Sequence, residues 1–230
     1  MCIRWTFDTT VMEDGMTQKD VVKALIDEQG TLYSESMGAD ISKNTPQELF
    51  HWLEGAIMLS ARIGSHQAEK AGRALRDAGF HRIGDLRERE RGSLVRILNE
   101  HGYARYDEST ANYLRDTAEW AEETYHGDLR KLREEAGTRE EILKALQGAK
   151  GIGQMGAEIF ARDAQLVWDE LYPADVSGPA ERGARDLGLP TDADRLADLA
   201  GSRERYVRLL AALTRAALDG PADKVKEAAE

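Results

Sequence analysis

The chain has 230 residues, of which 41% are hydrophobic and 32% are charged, an ordinary composition for a globular protein with its own core. Cys2 is the only cysteine, which excludes an internal disulfide and a four-thiolate iron–sulfur cluster. No apolar run approaches the length of a membrane span, and the net charge of −11 argues against non-specific coating of nucleic acid. We expect a cytoplasmic monomer without a metal or other cofactor.

Helical periodicity and cap residues predict an all-α chain, without any alternating strand pattern. The first predicted helices are one capped by Thr17 that ends before Gly30, one opened by Thr45-Pro46, one capped by Ser65 that stops at Gly79, and one over 86–98. Those that follow are 107–125, one opened by the capping box at 138–141, 154–168, short helices after Pro179 and Asp192, and 203–218. The tail after Gly220 is expected to fray.

The charge is unevenly distributed along the chain. Residues 62–115 contain eleven basic and eight acidic residues, whereas the whole chain is strongly acidic. This segment fits a localised basic face that binds phosphate, and it fits a helical surface of internal salt bridges equally well.

Gly151-Ile152-Gly153 lies between two helical patterns. Glycines in a tight turn let the backbone approach another surface closely, and the amides that open the second helix carry partial positive charge. Such a turn can bind a phosphate without basic side chains, which suits an acidic protein. An ordinary glycine-rich corner between two helices remains the alternative.

The segment 146–158 around these glycines resembles the helix-hairpin-helix of the endonuclease III superfamily of DNA glycosylases. Four further segments resemble elements of that family in the same order: Leu59-Ser60-Ala61-Arg62, Gly102-Tyr103-Ala104-Arg105-Tyr106, Gly127-Asp128-Leu129 and Arg185-Asp186-Leu187-Gly188-Leu189. Together the five segments span about residues 20 to 215.

The resemblance implies a two-lobed, all-α fold. Residues 46–148 would form a central helical lobe, and 1–45 together with 160–230 would form a second lobe from both chain ends. The hairpin, 142–160, would lie at their junction. The expected ligand is double-stranded DNA carrying a damaged base, bound by Gly151, Ile152, Gly153 and Gln154, with Arg62 filling the gap left by the flipped base.

The sequence departs from the family's bifunctional members at one position. Those enzymes carry a lysine four residues after the first hairpin glycine, and that lysine attacks the sugar. Here the position holds Met155, while Lys150 precedes the turn. Because a thioether cannot form a Schiff base, the resemblance implies a monofunctional N-glycosylase.

The family's catalytic aspartate follows the second hairpin helix, often in a Pro-x-Asp-Thr-His string. Pro173-Ala174-Asp175 resembles the first half of that string, so Asp175 is the candidate, although no Thr-His follows it. An ungapped count from Leu187-Gly188 places the position at Ser177 instead, and Asp169 is a further candidate. The competing interpretation of Asp175 is a loop residue that caps the following helix.

Aromatic walls for a flipped base would come from Tyr103 and Tyr106, while Trp52 and Trp168 have the spacing of core anchors. Two other function classes stay open. One is a non-catalytic DNA-binding protein on the same scaffold, and the other is a helical interaction module. The net charge favours these two classes, and the order of the motifs favours the glycosylase.

Overall fold

The computed structural model describes residues 17–229; Cys2 and the first sixteen residues of the predicted second lobe lie outside this range. All regular elements of the described range are helices, which confirms the all-α expectation. The described part of the chain divides into two compact units, one over residues 32–172 and one formed by the two ends, 17–31 with 173–229. The predicted central lobe was 46–148, and the predicted second lobe was 1–45 with 160–230.

The central unit contains nine α-helices. They are α2 (Tyr33–Met37), α3 (Pro46–Ser60), α4 (Ser65–Asp77), α5 (Ile83–Glu88), α6 (Arg91–Glu100), α7 (Asp107–Tyr125), α8 (Leu129–Ala136), α9 (Arg139–Leu146) and α10 (Gln154–Ala164), with 3-10 turns at Ile41–Lys43 and Asp169–Leu171. Helix α3 is the hub of this unit, since it packs against α2, α4, α7, α8 and α10. Its residues from Glu48 to Met58 are all buried.

The contact between α3 and α10 fixes the helix that follows the glycine turn. Trp52 on α3 is 1% exposed, and its indole N–H donates to the carbonyl oxygen of Phe160 at 2.9 Å. A buried indole that has both packing and a hydrogen-bond acceptor is a strong anchor. Trp52 therefore serves the core, as its spacing indicated.

The unit formed by the chain ends contains the remaining helices. They are α1 (Gln18–Gln29), α11 (Pro179–Asp186), α12 (Ala193–Ala200), α13 (Arg203–Asp219) and α14 (Asp223–Ala229). Helix α1 packs against α12, α13 and α14 through Val21, Val22 and Leu25, which are fully buried. Helices α11 and α13 approach closely at Gly183, where a Cβ would lie 2.3 Å from the carbonyl oxygen of Leu213.

Several predicted helix limits are confirmed by the structure. The Thr45 side chain accepts a hydrogen bond from the backbone amide of Glu48, and Pro46 occupies the first helical position. The Thr138 side chain accepts a hydrogen bond from the backbone amide of Glu141 in the same way. Helix α7 covers the predicted range 107–125. These limits could be read from the sequence because their signals are local.

Four other limits were wrong. The predicted helix over 86–98 is two helices, because the backbone is extended at Arg89, whose guanidinium lies 4.0 Å over the ring of Phe80. Gly64, not Ser65, is the N-cap of α4.

The other two errors concern helix and chain ends. Helix α10 stops at Ala164, because Trp168 is held by a hydrogen bond of 3.2 Å from its indole to Asn44. The tail forms α14 instead of fraying, because Val225 and Ala228 are buried and the helix packs on α1.

Candidate functional site

The turn between α9 and α10 requires glycine at Gly151. This residue has φ +87°, a left-handed conformation that L side chains rarely adopt. A Cβ on Gly151 would also lie 2.9 Å from ring atoms of Tyr113 on α7. The turn therefore lies flush against an aromatic ring, which a side chain at this position would displace.

Ile152 closes the turn from inside. Its side chain is 5% exposed, and its amide donates to the carbonyl oxygen of Ala149 at 3.1 Å. Its Cδ1 lies 3.1 Å from a Cβ built on Gly156, in the first turn of α10. Ile152 was predicted to bind DNA, but its side chain packs inside the turn and its amide already has an acceptor within the protein.

The N-terminus of α10 is open to solvent. Gly153 is its N-cap in an extended conformation, and a Cβ there would meet nothing within 4 Å. The residues Gly153, Gln154 and Met155 are exposed, and amides in the first turn of a helix have no acceptor within that helix. Their partial positive charge faces the surface, with the exposed Lys150 beside them.

Helix α7 supplies contacts to the turn that were not predicted from the sequence. Thr117 is fully buried, and its hydroxyl donates to the carbonyl oxygen of Lys150 at 3.0 Å. The indole nitrogen of Trp120 lies 3.0 Å from a Cβ built on Gly148. The sequence offered no signal beyond the helical spacing of these side chains, since their partners lie more than 25 residues away.

Arg62 is exposed in the bend after α3. Two residues before it, Ser60 has its Cβ 3.8 Å from a Cβ built on Gly156, so the end of α3 meets the first turn of α10. The fold therefore brings the segment of Arg62 beside the hairpin, as a shared ligand-binding surface would require.

The two predicted pocket tyrosines differ in their environments. Tyr103 is fully buried, its hydroxyl donates to the carbonyl oxygen of Met58 at 3.0 Å, and burial raises its pKa to about 12. This side chain anchors the core, which does not match the role of a pocket wall. Tyr106 is half-buried, with the Arg105 guanidinium 5.4 Å from its ring centre.

The candidate carboxylates lie outside the hairpin. Asp175 is exposed and belongs to the unit formed by the chain ends, in the segment between the 3-10 turn Asp169–Leu171 and α11. Ala174, immediately before it, is fixed because its carbonyl accepts the hydroxyl of the buried Tyr206. Asp169 is also exposed, and it belongs to the central unit.

A cleft of about 560 Å³ lies between α5, α6 and α7. Its lining alternates in charge, with Arg87, Arg91 and Arg115 facing Glu88, Asp116 and Glu119 around Asn112. Opposite charges so close together cancel much of the field that would attract an anion. The cleft therefore lacks the character of a simple phosphate site.

Many basic side chains of the segment 62–115 are paired with carboxylates. At least five of its eleven basic residues contact one: Arg73, Arg76, Arg82, Arg89 and Arg91. The firmest of these pairs is Arg76 with Glu48, a two-pronged contact with both distances 2.9 Å. For these five residues the structure supports the salt-bridge interpretation.

No family model matches the sequence, and neither a curated protein nor a solved structure was found to be similar to it. Within residues 17–229, no three His, Cys, Asp or Glu side chains group in a way that could hold a metal ion. The helices in that range are all too short or too polar to cross a membrane.

Proposed function

We propose that this chain binds the backbone of double-stranded DNA through the hairpin between α9 and α10 and removes a damaged base as a monofunctional N-glycosylase. The observation that carries the proposal is the open, glycine-flanked N-terminus of α10, where Gly153 and Gln154 are exposed and the amides of the first turn have no acceptor within the helix. Amides in this arrangement can bind phosphate even when the net charge of the protein is negative.

The proposed chemistry is hydrolysis of the bond between base and deoxyribose. As this bond breaks, positive charge develops on the sugar, the departing base takes up a proton, and water attacks the sugar after losing a proton to a carboxylate. An ionised carboxylate beside the sugar stabilises the developing charge. Asp175 is the candidate for this role. Met155 is 65% exposed at the lysine position, and its thioether offers no amine for lyase chemistry.

The hairpin is tested by Gly153→Val. A side chain at this position meets nothing in the protein, so the variant should fold normally while holding phosphate away from the amides. We expect binding of a DNA duplex to weaken by on the order of 10-fold or more, because charge-assisted hydrogen bonds are lost. The measurement is the dissociation constant by fluorescence anisotropy over a series of salt concentrations, with a shallow salt slope.

The matched control is Gly84→Val. Gly84 is also exposed, and its Cβ would also meet nothing within 4 Å. Equal affinity in both variants would contradict binding through the hairpin.

The chemistry is tested with duplexes that each carry one damaged base. We expect strand breaks only after alkali treatment, no covalent complex with borohydride, and loss of turnover by on the order of 10²-fold in Asp175→Asn with DNA binding retained. Full activity in Asp175→Asn would move the role to Asp169, the other candidate carboxylate. Borohydride trapping of the parent protein would contradict a monofunctional mechanism.

A second candidate function is DNA binding without catalysis. The burial of Tyr103 favours it, because one of the two expected pocket walls belongs to the core. Hairpin-dependent binding together with inactivity on every damaged duplex would establish this function. A protein that binds no duplex at all would instead fit a helical interaction module.

A further inference from the structure

Three side chains on one face of α7 contact the glycine turn. Tyr113, Thr117 and Trp120 are four and three residues apart, so they share one stripe of the helix. Tyr113 lies against Gly151, Thr117 contacts the backbone of Lys150, and Trp120 lies against Gly148. The long helix therefore forms a platform under the turn, in addition to the two helices that the turn joins.

Of these three side chains, Thr117 is the one that forms a hydrogen bond with the backbone of the turn. Its hydroxyl donates to the Lys150 carbonyl oxygen at 3.0 Å, and Thr117 is fully buried whereas Lys150 is exposed. The carbonyl of Lys150 and the amide of Gly151 belong to one peptide plane, and in a trans peptide they point in opposite directions. Holding the carbonyl toward α7 therefore directs the Gly151 amide away from α7.

The neighbouring tyrosine restricts the same peptide. The ring of Tyr113 lies against Gly151, which leaves no room for the turn to rotate toward α7. Tyr113 is 36% exposed, so it lies at the edge of the surface that carries the turn. Hydrogen bond and ring together hold one orientation of the 150–151 peptide.

We infer that Thr117 is a positioning residue that aims the backbone amide of Gly151 at a DNA phosphate. The inference rests on the proposed function, since it names a residue that acts on the same binding site through the turn. Thr117 itself is buried and does not touch the ligand. Its contribution is the orientation of a donor that would otherwise be free to turn.

The test is Thr117→Val, which keeps the shape of the side chain and removes the hydroxyl. We expect duplex affinity to fall by on the order of 5-fold to 10-fold with an unchanged salt slope, because no full charge is altered. Thr117→Ser restores the donor, and we expect it to return affinity to within about 2-fold of the parent. A second readout, measured without DNA, is the amide chemical shift of Gly151 in ¹⁵N spectra, which should move in Thr117→Val and return in Thr117→Ser.

The matched control is Thr214→Val. Thr214 is also buried, and its hydroxyl also donates to a carbonyl, that of Leu210 within its own helix at 2.8 Å. In Thr214→Val we expect affinity and the Gly151 shift to stay constant, because this hydroxyl is far from the turn in sequence and its carbonyl partner lies within its own helix. Parental affinity in Thr117→Val, or failure of Thr117→Ser to rescue, would overturn the inference.

The failure of the proposed function looks different. If the parent protein binds no duplex, both the proposed binding site and the positioning role of Thr117 in DNA binding are contradicted. The Gly151 shift would still report whether Thr117 sets the turn, because that measurement needs no DNA. Binding in the parent with no effect of Thr117→Val leaves the proposed function standing and removes only the inference.

Discussion

Asp163 on α10 is a buried carboxylate that the site does not use. It lies near the C-terminal end of the hairpin helix, and its Oδ2 accepts the amide of Ser34, in the first turn of α2, at 3.0 Å. The side chain is 3% exposed, and burial raises its pKa to about 6. The hydrogen bond to Ser34 acts in the opposite direction, and the desolvation of the charged form outweighs it.

The raised pKa predicts a pH-dependent contribution to stability. Between about pH 4 and pH 6 the folded chain holds a proton on Asp163 that the unfolded chain releases. The free energy of unfolding therefore rises as the pH falls through that window, because the buried charge that destabilises the fold at higher pH is neutralised. Asp163→Asn removes the titration while its amide oxygen can still accept from Ser34. We expect the variant to gain stability relative to the parent above pH 6, by up to about 3 kcal/mol, and the gain to shrink toward pH 4.

The measurement is the free energy of unfolding by urea at several pH values, and the quantity of interest is the difference between variant and parent. Taking this difference cancels the other titrating groups. A difference that is constant from pH 4 to pH 8 would show that Asp163 does not titrate in this window.

At the residue scale, the sequence could identify the glycines of the turn and could not identify their neighbours. Gly151 and Gly153 were recognisable because the motif is local. Only the structure separates them, since Gly151 needs its left-handed backbone and Gly153 faces open space. The contact of Thr117 with the turn and the core position of Tyr103 could not be predicted, because the partners of their hydroxyl groups lie 33 and 45 residues away in the chain.

At the scale of elements, helix starts with a local cap were predictable, whereas helix ends that depend on tertiary contacts were not. The starts at Thr45 and Thr138 are decided within four residues of sequence. The end of α10 at Ala164 and the formation of α14 depend on contacts with distant side chains, such as that between Trp168 and Asn44. Intrinsic propensity is a weak prior at such places, and packing decides.

Helix α14 illustrates this dependence and can be tested. Val225 is fully buried in the contact between α14 and α1. We expect Val225→Asp to lower the free energy of unfolding by about 1.5–3 kcal/mol or more. The burial of the valine is lost, and the carboxylate either is desolvated in the apolar contact or forces α14 away from α1.

The control is Glu227→Asp, an exposed position on the same helix. Chemical denaturation of both variants gives the comparison. If they are equally stable, the packing of α14 contributes nothing to the fold.

At the scale of the whole molecule, the two compact units differ in how their chain segments are arranged. The central unit is one continuous stretch, whereas the other is assembled from both ends, with more than 160 residues between α1 and α12. Contacts over such separations close slowly, because a long loop must be ordered first.

This arrangement has a consequence during synthesis on the ribosome. All packing partners of α2–α10 within the central unit have been made once Tyr172 is translated, so that unit can fold while the chain is still growing. Helix α1 is made before its partners α12, α13 and α14, whose synthesis is complete roughly 10 to 40 seconds later at ordinary rates of translation. Throughout that interval Val21, Val22 and Leu25 lack their final cover, so we expect aggregation during synthesis to be most sensitive to the apolar face of α1.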